Sequence, residues 1–205
     1  MELNENPRNL PCTAAQTPAR AERRLPGEEG VWAFIFGDMI LFGVFFVTFM
    51  IYRAENAELF AASQLTLNRT YGLINTLLLL TSSWFVARAV RAACHDMSSR
   101  APAFLLSGIF CGTGFVILKI FEYREKLSAG ISLNSNEFYI FYFMFTGIHL
   151  LHVMIGLGIL GYMFLRSRSG ATDHGYGTTM EGGGAFWHLV DLLWIILFTL
   201  LYLVR

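Results

Sequence analysis

Two histidines, His149 and His152, stand three residues apart inside the apolar run FYFMFTGIHLLHVMIGLGIL, and His188 and Asp191 repeat that spacing in FWHLVDLLW. Residues three apart on a helix share a face. Each pair could therefore grip a metal, carry a proton or tie helices together. Asp38 in FGDMILFGVFF and Lys119 with Glu122 in LKIFEYREKL complete the ionisable side chains set within apolar runs. At membrane depth such a group costs a few kcal/mol on insertion scales, so each one needs a partner or a task.

Three chemistries compete for these residues. A haem held by two histidines needs them on opposing helices, and His149 and His152 share one helix face, which leaves His188 as a facing partner. Carboxylate-bridged metal pairs draw on Glu-x-x-His repeats, whereas these read His-x-x-His and His-x-x-Asp. A proton relay is the second reading. Counting ~1.5 Å per residue puts Asp38, His188 and Asp191 roughly 6–11 Å inside one membrane face, where they could share a layer. Nothing in the sequence continues that chain outward. The structural reading has His188 and Asp191 hydrogen-bonding each other and neighbouring helices, His149 and His152 joining polar contacts near the midplane, and Lys119 snorkelling to the outer edge.

The elements that must carry these residues follow from composition. The 205-residue chain is 55% apolar and only 15% charged. Its apolar residues clump into runs near 31–52, 70–90, 102–121, 138–165 and 184–204. Each reaches or approaches the ~20 residues that cross a hydrocarbon layer as a helix. The expectation is an all-α integral membrane bundle of five transmembrane helices over residues 31–205, preceded by a flexible tail over 1–30. That tail holds Pro7, Pro11, Pro18 and Pro26 and no apolar core of a signal peptide. The glycine-rich RSRSGATDHGYGTTMEGG is expected to be a loop, with His174 an ordinary solvated histidine, as is His95 beside Asp96. Gly108 with Gly112, and Gly158 with Gly161, are spaced for close helix approach.

Charge and cysteine use exclude other classes. Net charge is zero, so no electrostatic case for nucleic acid exists. Cys12, Cys94 and Cys111 are scattered and show no metal spacing. Nine arginines flank the tail's side of the spans and five basic residues the other, which predicts a cytoplasmic N-terminus and a periplasmic C-terminus.

The blocks TGIHLLHVMIG and FWHLVDLLWIILFTLLY, with FEY at 121–123 and GDMILFGVFF around Asp38, resemble subunit III of the haem-copper oxidases. In that family Thr-Gly-x-His-x-x-His-Val and Trp-His-x-x-Asp-x-x-Trp occupy the last two helices, and an acidic residue sits at the position of Asp38. The resemblance covers residues 31–204. It implies an accessory subunit of a bacterial cytoplasmic membrane, without metal or haem of its own, docked on a haem-bearing catalytic subunit and supporting its assembly, stability and proton or substrate access. The family's acidic position lies near bound phospholipid and reacts with carbodiimide, which implies a lipid or partner surface at Asp38, Phe42 and Phe45. The remaining polar set, Glu122, His149, His152, His188 and Asp191, is then an intramembrane network. Larger members have seven helices; this chain looks like the five-helix form. GVWAFIFGDM, LNRTYGLINTLLLLTSSW, NSNEFYIFYFMFTGIHLLHV and EGGGAFWHLVDLLW look most like the accessory protein associated with bacterial nitric oxide reductase. Subunit III of a terminal cytochrome c or quinol oxidase is the alternative, and an intramembrane metal-binding or proton-conducting protein the second.

Overall fold

The computed structural model describes residues 29–94, 100–133, 135–169 and 174–204. Most of the expected tail, His95 with Asp96, and the side chain of His174 lie outside them. Six helices follow one another: α1 (Glu29–Glu55), α2 (Ala57–Leu65), α3 (Arg69–Cys94), α4 (Ala101–Ser128), α5 (Glu137–Arg168) and α6 (His174–Phe198), which runs into a π-helical turn at Thr199–Leu203. Among the described residues no strand occurs. All helices except α2 are long and apolar enough to cross a membrane, the spans being Trp32–Glu55, Arg69–Ala93, Ala101–Ser128, Glu137–Arg168 and Gly175–Leu203.

Local sequence sets the helix ends. Pro102 sits in the first turn of α4, where its missing N–H costs nothing. α4 stops at Gly130, whose φ of 76° is left-handed. There the Ile131 N–H donates to the Lys126 carbonyl and the Gly130 N–H to that of Leu127, a Schellman closure that glycine permits. α5 opens at Asn136, whose side chain accepts the Tyr139 N–H at 3.0 Å. With 32 residues α5 is ~48 Å long, so it tilts or protrudes beyond the hydrocarbon layer.

Packing departs from the expectations at three places. The connection after α1 contains α2, a short helix over the end of the bundle. Its Gln64 Nε2 donates to the Leu200 carbonyl at 3.1 Å, and the Lys126 ammonium reaches the Thr66 carbonyl just beyond it. The glycine-rich connection is not a loop from His174 onward. Gly183 fits against Ile159 and Met163 of α5 and Gly184 against Val90 of α3, and this packing overrides glycine's poor helix propensity. The expected tail likewise gives up Glu29 and Gly30 to α1.

Close approach is also redistributed. A methyl group added at Gly112 of α4 or Gly156 of α5 would come within 3 Å of the Trp187 ring, so the indole lies in a slot between two helices. Gly108 packs on Val86, but Gly158 and Gly161 have nothing within 4 Å of an added Cβ. α1 joins the rest through large rings: Phe49 meets Phe60, Phe141 and Phe145 at 5.5–5.9 Å. Its opposite face, with Phe36, Ile40, Val44 and Val47, is exposed.

Candidate functional site

The polar groups inside the spans fall into four clusters along the bundle. The first is built on α4, whose spacing points Lys119 and Glu122 inward, both fully buried. The Lys119 ammonium donates to Glu122 Oε2 at 2.9 Å. Tyr142 of α5 and Tyr202 of the π-helical turn donate their hydroxyls to Oε1 at 2.8 and 2.5 Å, while Lys119 also donates to both phenol oxygens at 3.3 and 3.1 Å. The ammonium lies 5.2 Å from the Trp194 ring centre and 4.9 Å from that of Tyr142. Lys119 therefore does not snorkel. A carboxylate, two phenols and aromatic faces replace its hydration in place.

His149 forms the second cluster with its aromatic surroundings. It is fully buried, and neither ring nitrogen has a hydrogen-bond partner. Phe115 meets it edge-on at 5.7 Å and Trp194 lies 5.2 Å away. The polar contacts expected of His149 are absent because the aromatic residues of α4 and α6 enclose it. Trp194 spends its own N–H on Thr76 Oγ1 at 3.0 Å. Asn75, one residue earlier on α3, is also fully buried with its amide unpartnered.

The third cluster links α1 to α5. His152 Nε2 lies 3.1 Å from Asp38 Oδ1, and its Nδ1 donates to the Ile148 carbonyl at 2.9 Å. A carbonyl oxygen only accepts, so Nδ1 carries the ring proton toward Ile148 and Nε2 is the atom turned to the Asp38 carboxyl. Asp38 is 7% exposed and Phe42 fully buried, its ring 5.8 Å from His152. The expected lipid or partner surface at Asp38 and Phe42 is thus corrected: both turn into the bundle. Phe45 is half-buried, 6.0 Å from Phe145. The inward stripe is Ile35, Asp38, Phe42 and Phe49, at helical spacing, and the outward face is the one that carries Phe36 and Ile40.

His188 and Asp191 share a face but do not bond each other. His188 turns instead to Ser83 of α3, whose hydroxyl lies 2.6 Å from its Nδ1, while Asp191 Oδ1 is buried without a hydrogen-bond partner. His188 is otherwise exposed and Asp191 buried. The expected layer of Asp38, His188 and Asp191 is not formed as a unit, because Asp38 is taken by His152. Among the described residues no group of three His, Cys, Asp or Glu side chains stands close enough to hold a metal ion. Tyr142, Tyr202 and Ser83 are the partners that spacing alone missed. The available signal was polar tips within apolar helices, which when buried must find a hydrogen bond.

A profile of the family described as Cytochrome c oxidase subunit III matches residues 26–204. Cytochrome c oxidase subunit 3 of Bacillus subtilis is 28% identical over 93% of this chain and 94% of its own length. Cytochrome bo(3) ubiquinol oxidase subunit 3 of Buchnera aphidicola is 27% identical over 85% of this chain and 84% of its own. Heme-copper oxidase subunit I+III of Aeropyrum pernix is 28% identical over 85% of this chain, which spans 22% of that longer relative.

Proposed function

The chain belongs to the cytochrome c oxidase subunit III family, and from that premise we propose that it is a non-catalytic accessory subunit of a haem-copper terminal oxidase fed by cytochrome c or quinol. The observation that carries this reading is the near end-to-end match with a subunit 3. A relative whose name joins subunits I and III supports a catalytic, haem-bearing subunit as the docking partner. The buried polar groups support the same reading, since most of them bridge separate helices. The chain itself supplies no redox group; it stabilises its partner, holds phospholipid and shapes proton or substrate access. It sits in a bacterial cytoplasmic membrane with its N-terminus in the cytoplasm.

The blocks around Asp38, Asn75, His149 and His188 favour a finer reading, the accessory protein of a nitric oxide reductase, while the names of the relatives favour the oxidase. One experiment separates them. The tagged chain is recovered from native membranes in mild detergent, and the complex is assayed for a haem spectrum and for consumption of oxygen or nitric oxide. A haem-bearing partner that consumes oxygen supports the oxidase reading, and one that consumes only nitric oxide the other. Recovery of the chain with no haem protein overturns both.

A further inference from the structure

A groove of ≈ 490 Å³ lies between the start of α3 and the last turns of α4, lined by Tyr71, Leu118, Phe121, Arg124, Glu125 and Ser128. Its volume falls within the ~300–1,000 Å³ of small-ligand sites. Two membrane spans end here, at Arg69 and at Ser128, so the groove opens at the edge of the hydrocarbon layer. It contains no residue of α1 or α5 and is separate from the Asp38–His152 pair.

The lining is ordered by depth. Leu118 and Phe121 lie about one to three turns deeper on α4 than Glu125 and Ser128, on the same stripe. Arg124 and Glu125 are exposed, and among the described residues neither side chain has a hydrogen-bond or ion-pair partner. The Tyr71 hydroxyl is likewise unengaged. The mouth thus offers a cation and an anion side by side, not bonded to each other, above an apolar floor.

That charge pattern complements one headgroup chemistry. A phosphodiester matches the guanidinium, which binds it through two parallel N–H donors. A primary ammonium matches the carboxylate, because it can donate hydrogen bonds where a quaternary amine cannot. A purely anionic lipid would leave Glu125 facing like charge. We propose that this groove binds phosphatidylethanolamine, with its phosphate on Arg124 and Tyr71, its ammonium on Glu125 and the start of an acyl chain on Leu118 and Phe121.

The test uses the full chain, with its partner if one is recovered, in mild detergent with equimolar phosphatidylethanolamine, phosphatidylglycerol and phosphatidylcholine, read by native mass spectrometry. Wild type should retain phosphatidylethanolamine ahead of the other two. Arg124→Gln should cut that retention about fivefold, and Glu125→Lys should exchange the preference for phosphatidylglycerol. Both positions are exposed, so unfolding temperatures without added lipid should stay at the wild-type value. Lipid profiles identical in wild type and both variants, or a wild type that prefers phosphatidylglycerol or phosphatidylcholine, would overturn the proposal. Neither result bears on whether the chain serves an oxidase.

Discussion

At the scale of single residues, the two histidines of one short motif have opposite environments and should respond oppositely to the same substitution. His149 sits among aromatic rings with both nitrogens unpartnered. An unsatisfied buried polar group costs ~1–3 kcal/mol, so His149→Phe should leave stability unchanged or raise it. His152 is the partner of Asp38 across α1 and α5. His152→Phe strands a buried carboxylate, and breaking such a pair costs ~3–5 kcal/mol. Unfolding in detergent, followed by circular dichroism, compares the two; equal losses would show that the motif works as one unit. Lys119 and Glu122 extend the argument. Lys119→Met leaves Glu122 with two phenol donors but no cation, and should cost about 3 kcal/mol. Adding Glu122→Gln to it should recover part of that loss, because the stranded charge is then gone. A double variant less stable than Lys119→Met alone would contradict this account.

At the scale of elements, helix contact is governed by which glycine faces a ring. Gly156 lies under the Trp187 indole and Gly158 faces open space. Overpacking a close-packed site costs ~1–3 kcal/mol, so Gly156→Ala should lower the unfolding temperature. Gly158→Ala should hold or raise it, since alanine is favoured over glycine in a helix by roughly 0.5–1 kcal/mol. Sequence spacing could not separate these positions. The five spans were legible because each apolar run matches the thickness of a bilayer. Inside them the helices are apolar on every side, so nothing in the pattern says which face turns inward. For that reason Lys119 read as snorkelling and Gly158 as a contact, and the surface at Asp38 and Phe42 that the family resemblance implied met nothing in the pattern against it. α2 and the first turns of α6 were missed for a different cause. α2, AELFAASQL, is far too short to register as a span, the start of α6 is glycine-rich, and both are helical through tertiary contacts such as Gln64 to Leu200 and Gly184 to Val90. The polar residues of the candidate site were legible by type; their partners were not.

At the scale of the whole molecule, the two ends of the bundle differ in build and can be told apart by experiment. One end gathers α2, the start of α5 and the π-helical turn through Asn56 to Glu137, Asn136 to Ser63, and Gln64 to Leu200. The other joins α5 to α6 through Tyr176 to Ser167. By sequence, Arg53, Arg69, Arg124, Lys126 and Arg205 flank the spans on the α2 side, against Arg88, Arg91, Arg100, Arg166 and Arg168 on the other. These counts are equal and set no topology. The decisive bias comes from Arg8, Arg20, Arg23 and Arg24 ahead of α1, because positive charge close to a span holds it on the cytoplasmic side. In a background with Cys12, Cys94 and Cys111 replaced by serine, Glu58→Cys on α2 should react with a membrane-impermeant maleimide in intact cells. Ser169→Cys, exposed at the opposite end, should react only after the membrane is opened. Replacing the four tail arginines with alanine should produce a mixed population in which both positions are partly labelled. Labelling of Ser169→Cys in intact cells with the tail unchanged would invert the topology, and would place the Tyr71–Arg124 groove in the cytoplasmic leaflet.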